Sequence, residues 1–229
     1  MERTGRTGIK AILFDLDGTL IDTEPAAARA ITDCFADWGI AVDPRDATYI
    51  TGRTWETAFQ YLFRKYELPL PAQQASLAMI ERYREMLTTG VLPVKGSTEA
   101  VRSLSKEFPL ALVSGSYRSE ILWALDRLGI REVFRIILGA EDYPRSKPAP
   151  DGYLKAIDLL NLKPAETLVF EDSEAGIASA KAAGARVVAI TGTNHFRQNT
   201  AGADLFIADL TDVTPAWVRE HAQSRSEKS

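Results

Sequence analysis

The run Ile9-Lys10-Ala11-Ile12-Leu13-Phe14 ends abruptly in Asp15-Leu16-Asp17-Gly18-Thr19-Leu20, and this junction constrains the fold more than any other stretch. The apolar run has the length and composition of a buried strand. It stops at two carboxylates and a glycine turn. Two carboxylates one residue apart, at the end of a buried strand, are costly unless a positive charge lies beside them. A divalent cation taking oxygen ligands meets that need.

Beyond this junction the chain changes character twice. Through the region 23–91, apolar residues recur with helical spacing. One stripe runs Ala27, Ala30, Ile31, Cys34, Phe35 and Trp38, and Gly39 closes it. A second is Trp55, Phe59, Leu62, Phe63 and Tyr66, and a third is Met79, Ile80, Tyr83, Met86 and Leu87. A weaker helix is expected from Asp43-Pro44. With no strand pattern between them, these stripes predict a small helical bundle.

From Pro93 onward strand and helix alternate. Strands are expected at 110–113, 135–138, 167–170, 185–190 and 205–207. The helices between them are expected at about 98–107, 119–128, 151–160 and 174–183, the last with Ser173 as its N-cap and Gly184 past its end. Apolar strands between helices imply a parallel sheet covered on both faces. The fold class is therefore α/β: a doubly wound, Rossmann-like parallel sheet core, with an α-helical bundle cap domain inserted after the first strand. The core is expected to comprise 9–22 and 92–222 and the cap 23–91, with flexible tails at 1–8 and 223–229.

Composition narrows the function classes. A chain of 229 residues that is 45% hydrophobic and 25% charged has the makeup of an ordinary globular protein. A net charge of -4 without a basic block gives no reason to expect a nucleic-acid or membrane partner. The single cysteine, Cys34, excludes an internal disulfide and a thiolate metal cage; it lies on an apolar stripe and reads as core. No apolar leader opens the sequence and no run reaches membrane-spanning length, so a cytoplasmic protein is expected.

Doubly wound sheets bind ligands beyond the carboxyl ends of their strands. Asp15 and Asp17 follow the first strand, Ser114 the second, and Glu171-Asp172 the fourth. Four carboxylates converging on one crevice would repel one another, and Mg2+ suits such a site when water and phosphate oxygens complete its shell. Lys147, in Arg145-Ser146-Lys147-Pro148-Ala149-Pro150, would offset carboxylate charge and hold a phosphate. Ser114, with the amides of Gly115 and Ser116 ahead of a helix, would bind another phosphate oxygen. Together these groups compose phosphoryl transfer through an aspartyl-phosphate, with Asp15 as nucleophile and Asp17 as general acid/base.

Asp15-Leu16-Asp17-Gly18-Thr19, Ser114, Lys147 and Glu171-Asp172 resemble the four ordered motifs of the haloacid dehalogenase superfamily. The helical insertion resembles that superfamily's small-cap branch, which includes phosphoglycolate phosphatase, sugar-phosphate phosphatases and beta-phosphoglucomutase. The resemblance covers 10–209. It implies that Mg2+ is bound by Asp15, by the Asp17 carbonyl, and by Asp172 with Glu171. It also implies that the cap closes over the crevice and chooses the substrate. Asp17 separates the chain from the metal-free dehalogenases. No lysine occupies the stretch around Gly52-Arg53-Thr54, which disfavours phosphonoacetaldehyde hydrolysis, and Lys65 is expected to be solvated. Asp22-Thr23-Glu24-Pro25-Ala26-Ala27 resembles the sugar-phosphate group, with Ala27 where the mutases carry a histidine. That difference favours a phosphatase over the alternative, a beta-phosphoglucomutase-type phosphomutase. Glu24 and Arg53 are the cap candidates for substrate contact, and Trp55 and Tyr61 are candidates to line the cleft. His195 and His221 have no partner at metal-ligand spacing and are expected to be structural. The expected partner is a small phosphorylated metabolite, acted on by a monomer or weak homodimer.

Overall fold

All four residues of the first strand, Ala11–Phe14 (β1), are fully buried, as only a central strand with both faces covered can be. The computed structural model describes residues 8–50, 55–89, 92–195 and 197–222. It places β1 inside a six-stranded sheet with Leu110–Val113 (β2), Phe134–Leu138 (β3), Thr167–Glu171 (β4), Arg186–Ile190 (β5) and Leu205–Ile207 (β6). All pairings are parallel, in the order β3-β2-β1-β4-β5-β6. The order reverses between β1 and β4, where Leu13 pairs with Ala111 on one side and Val169 on the other. A doubly wound sheet opens its ligand crevice at such a reversal.

Alternate residues of the strands feed opposite faces. Leu13, Ala111, Val113, Val169, Val187 and Ala189 form one buried layer with Tyr153, Ile157, Ile177 and Ala180. Those last four come from helices Asp151–Leu159 (α7) and Glu174–Ala182 (α8). On the other face Phe14 stacks on Phe170 with centroids 5.0 Å apart and meets Phe134 edge-on at 6.3 Å. Burying such rings contributes roughly 2 to 3 kcal/mol each.

The chain divides into two compact units, 1–21 with 93–229 and 22–92. Among the described residues the smaller holds four helices, Glu24–Asp37 (α1), Pro44–Ile50 (α2), Trp55–Lys65 (α3) and Ala72–Thr89 (α4). The larger adds Ser97–Leu104 (α5) and Arg118–Leu128 (α6) before α7 and α8, and Pro215–His221 (α9) after β6. The stripe expected from Ala27 to Trp38 is α1; Gly39 follows it at φ +76°, and its amide reaches the Ala36 carbonyl. The last helix, α9, has no counterpart in the sequence reading. Thr214 caps it, its Oγ accepting from the Trp217 amide at 3.2 Å, but seven residues are too few to display a periodic stripe. Among the described residues, no helix is long and apolar enough to cross a membrane.

The core of the smaller unit joins Ile31, Cys34 and Phe35 to Leu62, Ala75 and Met79. Trp55 and Tyr61 pack against this cluster, Trp55 facing Phe59 and Tyr83 and Tyr61 facing Tyr49. One carboxylate is buried beside it. Asp46 of α2 is 2% exposed and accepts from the Tyr61 hydroxyl at 2.6 Å, the Lys65 ammonium at 2.6 Å and the Tyr66 hydroxyl. Lys65 is exposed, as expected from sequence, and its head group also bonds Asp46 and ties α3 to α2.

The bonds from Lys65, Tyr61 and Tyr66 hold the Asp46 carboxyl at about 2, below its ordinary 3.8. A depressed carboxyl stabilises the fold above its unfolded value and loses that contribution as pH falls. Asp46→Asn is therefore expected to lower thermal stability at neutral pH. The gap to wild type should narrow as pH falls from about 4 towards 2, as followed by circular dichroism melts at stepped pH. A gap independent of pH would contradict the ionised network.

Candidate active site

The backbone of Asp15 extends the ladder of β1 by one bond, its amide donating to the Phe170 carbonyl at 3.1 Å. The chain then turns sharply, with the amides of Thr19, Leu20 and Ile21 all directed at the Leu16 carbonyl. Gly18 sits in this turn at φ +79°, and a Cβ there would lie 2.1 Å from Asp172 Oδ2. Only glycine satisfies both demands. The glycine turn thus lets the carboxylate at the end of β4 approach the one at the end of β1. Thr19 Oγ1 donates to Asp172 Oδ1 at 3.4 Å, and Thr193, from the loop after β5, donates to the Gly18 carbonyl at 2.5 Å.

Lys147 enters from the loop after β3. Its ammonium lies 2.5 Å from Asp15 Oδ1 and 2.6 Å from Glu171 Oε1, with its side chain 13% exposed. Glu171, fully buried, is held by five donors. Lys147 and the Tyr153 hydroxyl (3.0 Å) reach Oε1, while the amides of Asp172 and Ser173 and the Ser173 hydroxyl reach Oε2 at 3.0 to 3.1 Å. The Tyr153 ring also lies under the Lys147 ammonium at 5.0 Å. Ser173 does double duty, since its Oγ accepts from the Gly176 amide and caps α8.

Oxygens of Asp15, Glu171 and Asp172 lie within 4.8 Å of one another. Burial pushes the Asp15 carboxyl up to about 7; Lys147 opposes this, and Glu171 and Asp17 add to it. Asp172 is driven well above the carboxylate range by burial, then by Glu171 and Asp15. Burial alone would pull Lys147 down, but Asp15 and Glu171 outweigh it and hold the ammonium firmly charged. Three carboxylates against one ammonium leave two negative charges when all are ionised, which suits a divalent cation. The donor set fits such an ion. With five donors already on Glu171, the carboxylate oxygens better placed to ligate directly are those of Asp15 and Asp172.

The expectation that four carboxylates converge is therefore met by three side chains. The Asp17 carboxylate accepts from Ser116 Oγ at 2.8 Å. Ser114 is buried at the end of β2, its amide bonded to the Leu138 carbonyl and its own carbonyl accepting from the Tyr143 hydroxyl at 2.7 Å. Gly115 is exposed beside it. The amide of Ser116, expected to face an anion, donates instead to Ser114 Oγ at 3.0 Å. That bond occupies a lone pair of the Ser114 oxygen and leaves its hydrogen to be donated outward.

Glu24 opens α1 in the smaller unit, and its side chain lies outside the described residues, as does Arg53 altogether. His195 lies in the loop after β5, while His221, in α9, stacks on Trp217 with its Nδ1 at 3.1 Å from the Trp217 carbonyl. No local signal in the sequence marks Tyr143, Tyr153, Thr193 or Gly176 as part of this cluster. An aromatic on the buried stripe of α7 looks like core, and Tyr153 is core except for its hydroxyl.

A family model described as haloacid dehalogenase-like hydrolase matches residues 12–190. The chain is 33% identical over 212 residues to the validoxylamine A 7'-phosphate phosphatase of Streptomyces hygroscopicus subsp. limoneus, covering 89% of this chain and 95% of that protein. It is 30% identical over 174 residues to a fructose-1-phosphate phosphatase of Escherichia coli K12, covering 76% and 92%. Among solved structures, a HAD family hydrolase from Deinococcus radiodurans R1, with bound phosphate and sodium, superposes with a TM-score of 0.78 at 26% identity, covering 96% of this chain and all of that one.

Glycine within a helix is ordinarily about 1 kcal/mol worse than alanine. At Gly176 the sign should reverse, because a Cβ there would lie 1.7 Å from Glu171 Oε1, an atom its donors do not let go. Gly176→Ala is expected to destabilise the protein by about 1 to 3 kcal/mol, the usual cost of overpacking a held site. Equilibrium urea unfolding checks the sign.

Proposed function

This chain belongs to the haloacid dehalogenase-like hydrolases and is a phosphoric monoester hydrolase, and from that premise we propose that it is a Mg2+-dependent phosphatase acting through an aspartyl-phosphate. The observation that carries this reading is the convergence of Asp15, Glu171 and Asp172 around the Lys147 ammonium at the reversal of the sheet. Asp15 is the nucleophile: it stands directly at the strand end, and Lys147 fixes one of its oxygens. Asp17 gives a proton to the leaving oxygen and later takes one from water. The Ser114 hydroxyl and Lys147 hold the phosphoryl oxygens, with the exposed Gly115 allowing close approach.

Asp15 and Asp172, with the Asp17 carbonyl, would hold Mg2+ directly, and Glu171 would orient Asp172 and Lys147 around it. When bound, the ion neutralises the carboxylates and the charge of the phosphoryl group. The substrate class is a small sugar or polyol phosphate, supported by relatives that act on validoxylamine A 7'-phosphate and fructose 1-phosphate. Phosphoglycolate belongs to the same chemical range, and a relative in Chromobacterium violaceum is a phosphoglycolate phosphatase. Ala27 favours hydrolysis over mutase chemistry, because no imidazole stands there to time the proton step. A lone, buried thiol at Cys34 suits a reducing cytoplasmic setting.

A phosphate-release screen over sugar phosphates, polyol phosphates and phosphoglycolate tests the proposal. Activity should vanish with a chelator and return with Mg2+. Asp15→Asn should lower kcat at least ~10³-fold, as expected for loss of a nucleophile, while the protein remains folded. Equal release by wild type and Asp15→Asn would reject the mechanism, and interconversion of beta-glucose 1-phosphate and glucose 6-phosphate without phosphate release would favour the mutase.

A further inference from the structure

Ser116 Oγ donates to Asp17 Oδ2 at 2.8 Å, across 99 residues of sequence. The backbone of Ser116 is held on both sides, its amide by Ser114 Oγ at 3.0 Å and its carbonyl by the amide of Ala140 at 2.9 Å. Ala140 begins a short helical turn directly after β3, and Ser114 directly follows β2. The position of the Ser116 hydroxyl is thus set by two strands of the sheet rather than by the group it touches.

We propose that Ser116 is a positioning residue for proton transfer, fixing the rotation of the Asp17 carboxyl against the Ser114 donor. This rests on the reading of Asp17 as the general acid/base. A hydroxyl that donates to one carboxyl oxygen keeps that oxygen an acceptor in both protonation states. With Oδ2 committed to Ser116, the proton that moves is the one on Oδ1. In the first half-reaction Asp15 attacks phosphorus, the ester P–O bond breaks, and the departing alkoxide takes the proton from Asp17 Oδ1. In the second, water attacks the aspartyl-phosphate, and its proton passes to Asp17 Oδ1. The bond from phosphorus to the Asp15 oxygen then breaks and orthophosphate leaves. Ser114, Gly115 and Ser116 would thereby place the phosphate donor and the acid in one frame. A misplaced acid costs rate even when its chemistry is intact.

The dependence on leaving group distinguishes positioning from a structural role. Nitrophenolate departs with little help from an acid, whereas an alkoxide needs one. kcat/KM, which reports the first half-reaction, is measured for p-nitrophenyl phosphate and for the best alkyl ester among fructose 1-phosphate, sorbitol 6-phosphate and phosphoglycolate. Ser116→Ala should lose about tenfold more on the alkyl ester than on the aryl ester, and Ser116→Thr should restore most of the difference. The ratio of the two losses is independent of how much of the variant is folded. Equal losses on both esters, or no loss on either, would overturn the proposal. Asp15→Asn, run beside them, separates the two failures, since an active Asp15→Asn protein rejects the parent mechanism and not Ser116 alone.

Discussion

The ammonium of Lys147, wedged between Asp15 and Glu171 at 2.5 and 2.6 Å, is the contact on which the rest of the site depends. Carboxylates sequestered from water at the ends of β1 and β4 would otherwise lose hydration without compensation. Lys147 compensates for one charge, and the remaining donors follow from it. Tyr153 supports the ammonium with its ring and Glu171 with its hydroxyl. Asp172 and Ser173, immediately ahead of α8, present three further donors to the other Glu171 oxygen. Gly176 admits that carboxylate into the turn, as Gly18 admits Asp172 into the turn after β1. The glycines and the charges answer one constraint: acidic side chains from two neighbouring strands have to meet where a side chain would collide.

Sheet topology makes that meeting possible without long loops. β1 and β4 are neighbours at the reversal of strand order, so Asp15 and Glu171 are brought together by backbone pairing that the buried apolar runs already enforce. β2 lies on the other side of β1 and delivers Ser114 and Ser116 to the same end, and β3 delivers the segment that leads to Lys147. Each strand is short, four or five residues in this half of the sheet, and its terminus is correspondingly well defined. Side chains one or two residues past such termini inherit the rigidity of the sheet, which is what oriented proton and phosphoryl transfer requires.

Much of this was legible in the sequence because it depends on local signals. Continuous apolar runs marked the strands, and helical stripes marked α1, α3 and α4. Ser173 marked the start of α8, where its hydroxyl does accept from the Gly176 amide. The candidate site residues stood out because acidic residues, a serine and a lysine lie at or after strand ends, where apolar pattern and chemistry change together. What was not legible depends on partners far apart in the chain. Asp46 reads as an ordinary acidic residue in the first turn of a helix, and nothing local pairs it with Lys65, until folding brings them to 2.6 Å. Tyr153 satisfies the apolar stripe of α7 as phenylalanine would, so nothing local marks its hydroxyl as a ligand of Glu171. The Ser116 amide looked free beside Ser114 because a serine hydroxyl two residues back competes for it, and sequence does not say which acceptor wins.

Hydrogen bonding, rather than residue type, differentiates carboxylates that the sequence presents as near equals. Glu171 takes five donors and is fixed as an acceptor, which in the proposed mechanism suits it to orienting its neighbours. The Asp17 carboxylate accepts from Ser116 and lies outside the three-carboxylate cluster. Asp15 receives Lys147 on one oxygen, and Asp172 receives Thr19 at the long distance of 3.4 Å. Among the described residues these two are the acidic groups of the cluster with the fewest donors, and burial drives both towards the neutral form. A buried carboxylate with few donors is the kind that gains most from a cation. Donor supply thus separates Glu171 from Asp15 and Asp172, and under the proposed mechanism it suits the first to orienting its neighbours and the other two to holding the cation.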